Sequence, residues 1–194
     1  QELIFRYIQP NDAVLMIGGN IGGACIAISL ALTNRSRQAC VEPNPRVVPV
    51  LRANMDEHNA GFRIVEGAIT RGQTLRLKTC AWGRNKVCST TRTTLLGGLL
   101  RWITNRNSVF EIPGYDLYKL ETELLGNMEH FTLLSLDCEG CMCQVFEEYA
   151  EYLPYLRCVI AELDMADSCD YVYWDNRLRS IGFQLATVMN AHAV

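Results

Sequence analysis

The chain has 194 residues, 49% hydrophobic and 20% charged, with a formal net charge of −3. That length suits one domain with a good core, and the apolar and charged shares are those of an ordinary soluble globule. The slight acidity excludes a general attraction to nucleic acid or to an anionic membrane, no apolar run approaches the roughly 20 residues of a membrane helix, and residues 1–13 do not read as a secretory leader.

In chain order, Val14–Ile17 reads as a short buried strand and Gly22–Leu32, rich in Ala, Ile and Leu, as a helix packed on a sheet. Ala39–Val41 is a second strand. Pro45–His58 starts with proline near the first helical position and carries Val47, Val50, Leu51 and Met55 at a helical period. Phe62–Ile69 reads as a third strand, and the alternation of Thr74–Lys78 as an extra edge strand. Residues 79–114 are polar, contain Trp82 and Trp102 and lack a sustained period; so long an irregular stretch in a compact domain reads as a functional loop or lid. Asp116–Leu125 is a short helix, Thr132–Cys138 a near-continuous apolar strand of the kind found inside a parallel sheet, and Cys141–Tyr155 a helix. Cys158–Leu163 is a strand, Tyr171–Ile181 a helix and Phe183–Met189 a last strand. Strand and helix alternate throughout, which predicts an α/β fold with a doubly wound, mostly parallel sheet, one domain over residues 1–194.

The first third carries the strongest functional signal. Val14-Leu15-Met16-Ile17 runs into the turn Gly18-Gly19-Asn20-Ile21-Gly22-Gly23, and the second strand ends at Glu42-Pro43-Asn44-Pro45. The acid follows the last turn glycines by about 20 residues, the spacing at which a carboxylate reaches ribose hydroxyls. Glycines permit close approach of backbone to ligand, and the helix after the turn directs free N–H groups toward it. Asn20 stands where a dinucleotide fingerprint has its second glycine, the one that makes room for a pyrophosphate. S-adenosylmethionine has no pyrophosphate, so the turn fits that cofactor better than NAD(P). Gly67 and Ala68, at the end of the third strand, are placed to flank an adenine.

Acids gather where strands end: Glu42, Asp137, Glu139, Glu162 and Asp164. Glu162 and Asp164, two apart on one strand, face the same side. Two roles are open to such a cluster: a general base taking the proton of an acceptor hydroxyl, or ligands of Mg²⁺ or Mn²⁺, in which case Asp137, Glu162 and Asp164 form the donor set.

Gly18-Gly19-Asn20-Ile21-Gly22, Glu42-Pro43-Asn44-Pro45, Asn54 with Asn59, and Leu136-Asp137-Cys138-Glu139-Gly140 together resemble the successive motifs of the FkbM-type S-adenosylmethionine-dependent methyltransferases. The resemblance runs from Asp12 to Phe183. It implies a class I, Rossmann-like fold and an O-methyltransferase acting on a hydroxyl, with a sugar or glycan as first acceptor. With it, the candidate cofactor residues are Gly18, Gly19, Asn20, Gly22, Glu42, Pro43 and Asp137 from the motifs and Gly67 and Ala68 from the strand end, and the candidate catalytic residues are Asp137 and Glu139 from the motifs and Glu162 from the strand-end cluster. Met16 replaces the acid the family usually has, Met142 stands where a further Glu would fall, and the chain stops soon after Phe183–Met189. Two other classes compete: a nucleotide-binding reductase with a degenerate Rossmann turn, and a non-catalytic binding module built on a cofactor fold.

Nine cysteines are many for this length. Cys25, Cys40 and Cys158 lie inside apolar patterns, where free cysteine packs as a small hydrophobe. The expectation is nine reduced thiols and a cytoplasmic protein. Cys138-x-x-Cys141-x-Cys143 lacks an evident fourth zinc ligand and reads as packing. His58, His130 and His192 do not read as bases. The acceptor and the oligomeric state stay open.

Overall fold

The computed structural model describes residues 2–79, 87–92, 109–127, 129–163 and 169–188. In chain order these form α1 (Glu2–Tyr7), β1 (Val14–Ile17), α2 (Gly23–Ala31), β2 (Gln38–Glu42), α3 (Val48–Glu57), β3 (Arg63–Glu66), β4 (Ala68–Ile69), β5 (Leu75–Thr79), β6 (Val87–Arg92), β7 (Val109–Ile112), β8 (Gly114–Tyr115), α4 (Leu117–Leu125), β9 (Leu133–Leu136), α5 (Cys141–Glu148), β10 (Cys158–Ala161) and α6 (Tyr171–Ser180). A 3₁₀ turn, Ala150–Tyr155, follows α5.

The central sheet has the order β10-β9-β1-β2-β3, with every neighbouring pair parallel. Both faces are covered, so β1 reads Val-Leu-Met-Ile without a polar break and all four residues are buried. Its side chains alternate between two cores, as the period of two requires. Leu15 and Ile17 join Val41, Leu134, Phe131 and Phe146 on one face, whereas Val14 and Met16 join Ile28, Cys40 and Leu51 on the other. The first core receives α4, α5 and α6, and the second α1, α2 and α3. This is the doubly wound α/β fold that the sequence predicts.

Strand order reverses at β1. The chain continues outward to β2 and β3 on one side, while β9 and β10 lie on the other. Ligands of such sheets bind beyond the carboxyl ends of the strands at that reversal. Gly18, after β1, and Asp137, after β9, stand on its two sides.

Several sequence expectations are corrected. The third strand is not continuous to Ile69. The Gly67 N–H bonds to the Glu42 carbonyl at 3.1 Å, and Ala68–Ile69 then leaves the main sheet to pair with Gly114–Tyr115. The Leu75–Thr79 strand is not an edge: it is the centre of a separate antiparallel sheet, β6-β5-β7. Its partners, β6 and β7, come from within residues 79–114. Trp82, Trp102 and most of the expected lid lie outside the described residues. No strand forms over 183–188: Leu185 and Val188 are exposed there, because alternation alone supplies no neighbouring strand to pair with. The expectation of reduced cysteines is overturned by disulfides Cys25–Cys40, Cys138–Cys141 and Cys143–Cys169. That removes the basis of the cytoplasmic placement. No described helix is long and apolar enough to cross a membrane.

Candidate functional site

The turn after β1 is held by hydrogen bonds from the Gly18 and Gly19 N–H groups to the Val41 carbonyl, at 3.0 and 2.9 Å. Gly18 has φ +93°, and a Cβ there would run into the backbone carbonyl of Asp137. Glycine at this point is therefore what lets the ends of β1 and β9 close on each other. Asn20 adopts φ +45°, a region few non-glycine residues enter. From α3, Asn54 reaches back and donates to the Ile21 carbonyl at 2.7 Å. The motif residue Asn54 thus braces the turn. Gly22, in the left-handed region, is the N-cap of α2, whose first N–H groups open toward the same end of the sheet.

Glu42 ties this turn to the end of β2. One carboxylate oxygen accepts from the Asn20 N–H at 2.6 Å and the other from the Asn44 N–H at 2.7 Å. The residue is only 5% exposed. Burial pushes its carboxyl above the ordinary glutamate range and the charge of Asp137 adds to that, while the two N–H bonds pull the other way. Each oxygen keeps a second lone pair. Beside Glu42, the buried Asn44 has no acceptor for its side-chain nitrogen among the described residues.

A cavity of about 510 Å³ opens next to Glu42. Its walls come from Pro43 and Pro45, from Val48 of α3, from β3, and from Phe110–Pro113 and Tyr115. One wall is therefore built by β7 and β8, which sequence reading missed. The signal was present in the alternation of Phe110 and Ile112 against Val109 and Glu111. Arg46 lies over the Phe110 ring, 5.1 Å from its centroid. Of the predicted cofactor residues, Glu42 and Pro43 line this cavity. Gly67 and Ala68 adjoin it through the Glu42 and Pro113 carbonyls, to which their N–H groups bond at 3.1 and 3.0 Å. Gly18, Gly19, Asn20, Gly22 and Asp137 do not line it; they stand on the other side of the Glu42 carboxylate.

Asp137 is exposed at the end of β9, its N–H bonded to the Ile17 carbonyl at 2.9 Å. Glu162 follows β10, its N–H bonded to the Leu136 carbonyl at 2.8 Å, so the two acids leave adjacent strands side by side. The structure ends β10 at Ala161, so Glu162 falls after the strand rather than on it. Glu139 occupies the β9–α5 turn at φ +52°. Asp164 lies outside the described residues, and among those residues no group of three or more His, Cys, Asp or Glu is placed to hold a metal ion. The Cys138, Cys141 and Cys143 sulfurs are all engaged in disulfides.

No family model and no curated protein matches the chain. Among solved structures it is similar to the YcgJ protein from Bacillus subtilis, at 20% identity and TM-score 0.30 over 34% of this chain and 28% of that one. It is also similar to a Klebsiella pneumoniae protein assigned as an O-methyltransferase, at 15% identity and TM-score 0.40 over 87% of this chain and 56% of that one. A third similarity is to the O-methyltransferase from Bacillus cereus in complex with SAH, at 14% identity and TM-score 0.43 over 93% of this chain and 64% of that one. The chain thus spans less than two thirds of the length of each.

Proposed function

We propose that this chain is an S-adenosylmethionine-dependent O-methyltransferase of the FkbM type whose acceptor is a hydroxyl of a sugar or glycan. The observation that carries the cofactor reading is the bond between the Asn20 N–H and the Glu42 carboxylate beside the cavity. It joins the glycine turn and the strand-end acid into one unit at the reversal of strand order. The residues present fit the cofactor. The remaining Glu42 lone pairs suit a ribose diol, Phe110 and Tyr115 suit a planar base, and the turn and the α2 N–H groups suit a carboxylate. When bound, S-adenosylmethionine supplies an electrophilic methyl group. The chain's part is to align the acceptor oxygen with the methyl–sulfur bond and to take its proton, a role for Asp137 with Glu139 and Glu162 close by. We place the protein in an oxidising compartment, because disulfides persist there and are rare in the cytosol.

Calorimetry with S-adenosylmethionine, its demethylated product SAH and NAD(P) tests the reading. The expected outcome is binding of the first two and loss of about 1.5–3 kcal/mol in Glu42→Ala, the worth of hydrogen bonds to a charged acceptor. Binding of NAD(P) alone would favour a reductase and sink the proposal. Labelled methyl transfer to a panel of sugars, with and without chelator, tests the acceptor. Cofactor binding without any transfer would leave a binding module.

A further inference from the structure

The three disulfides of the described residues sit in different surroundings. Cys25, Cys40, Cys143 and Cys169 are buried, so their sulfurs offer no line of approach. Cys138 and Cys141 are half-buried. Their bond closes a Cys-x-x-Cys turn between β9 and α5, with Cα atoms 5.4 Å apart. Cys141 is the first residue of α5, and the N-cap is Gly140 in the left-handed region. A thiolate released at that point faces the free N–H groups of the first helical turn, which stabilise negative charge. A stabilised thiolate leaves faster in exchange, and access to sulfur sets the rest of the rate. Within the same small ring Glu139 is held at φ +52°. Asp137 directly precedes Cys138, and Gly18 lies against the Asp137–Cys138 backbone.

We propose that Cys138–Cys141 is a thiol-exchanging disulfide whose partner is a dithiol, and that its opening releases the turn from Asp137 to Gly140. One thiolate of the dithiol attacks the Cys138 sulfur. A mixed disulfide forms, the Cys138–Cys141 bond breaks, and the electron pair leaves on Cys141. The second thiolate of the donor then attacks the donor sulfur of the mixed disulfide and expels Cys138. The protein gains two electrons and two protons as a pair of thiols, and the donor leaves as its own disulfide. The site stands on geometry independent of the cofactor reading.

The test equilibrates the native, full chain in dithiothreitol buffers of graded potential, quenches by alkylation and maps the labelled peptides by mass spectrometry. Cys138 and Cys141 should open first. Their equilibrium constant should exceed that of either buried pair by at least about tenfold, equivalent to about 30 mV for a two-electron couple. Hydrogen exchange of oxidised and reduced protein should show faster exchange confined to the 137–140 turn. Opening no earlier than the buried pairs, or only together with global unfolding, would overturn the exchange site. Cys138 and Cys141 labelling without reductant would do the same. Selective opening with unchanged exchange in the turn would overturn the conformational half.

Discussion

At the scale of single residues Glu42 carries the most. Its place was legible in the sequence from its distance to the glycine turn. What was not legible is that both oxygens already serve the protein's own backbone, since a hydrogen bond between residues 22 positions apart exists only once β1 and β2 are paired. The sign of its titration follows. Burial raises the folded-state carboxyl above the ordinary glutamate value of 4.5, so its contribution to stability is fully present below that value and is lost as pH rises through the raised folded value. Urea unfolding of the wild type and Glu42→Gln across this window should show the wild type losing stability relative to the variant with rising pH. A flat difference would refute the assignment. Met16 is equally informative. It is 1% exposed inside the core shared with Ile28 and Leu51, so an acid there would be a buried charge. Met142 is likewise core. Met16 and Met142 are both packing residues.

Between elements, the amino ends of the sheet are joined by one ionic cluster. Asp12, before β1, accepts from the Gln9 N–H at 2.8 Å, the Thr132 hydroxyl at 2.8 Å and Arg157 Nε at 3.1 Å. Arg157 also donates to the Tyr7 carbonyl at 2.9 Å. Thus α1, β1, β9 and β10 are pinned together at the end opposite the site. Burial works against the Asp12 charge, but the Arg157, Gln9 and Thr132 bonds outweigh it and hold the carboxyl below its usual value. The lowered value gives stability that is present above the unfolded value of 3.8 and is lost as pH falls through the folded one. Asp12→Asn should cost about 1.5–3 kcal/mol at neutral pH, with the difference closing under acid. Chemical denaturation at several pH values reads this; a cost that persists unchanged in acid would contradict it. Sequence periodicity gave no sign of this arrangement or of α1, a helix of 6 residues too short for a pattern and held by tertiary contacts. The same limit explains 183–188, which alternates like a strand yet pairs with no strand among the described residues. It also explains β5, read as an edge because its partners β6 and β7 come from a stretch without a clear period. The inner strands β1 and β9 were legible because burial on both faces writes itself as nearly unbroken apolar runs.

For the molecule as a whole, the cysteines decide how the layers are fastened. An apolar neighbourhood is compatible with a packed thiol and with a buried disulfide, so sequence pattern could not separate them; Cα–Cα separations of 6.2 and 5.4 Å do, since they lie in the bonding range. Cys25–Cys40 fastens α2 to β2, directly behind the glycine turn. Cys143–Cys169 fastens α5 to the approach to α6, closing 26 residues. A cross-link of that span removes chain entropy from the unfolded state worth about 3–3.5 kcal/mol, so Cys169→Ser should lower stability by that order. The loss should appear as a lower urea midpoint and vanish when both proteins are compared fully reduced. Before any variant is made, unfolded, unreduced protein digested for mass spectrometry should yield the Cys25–Cys40 and Cys143–Cys169 linked peptides, with Cys158 alkylated. Nine alkylated cysteines in that experiment would instead restore the reduced-thiol reading and, with it, a reducing compartment.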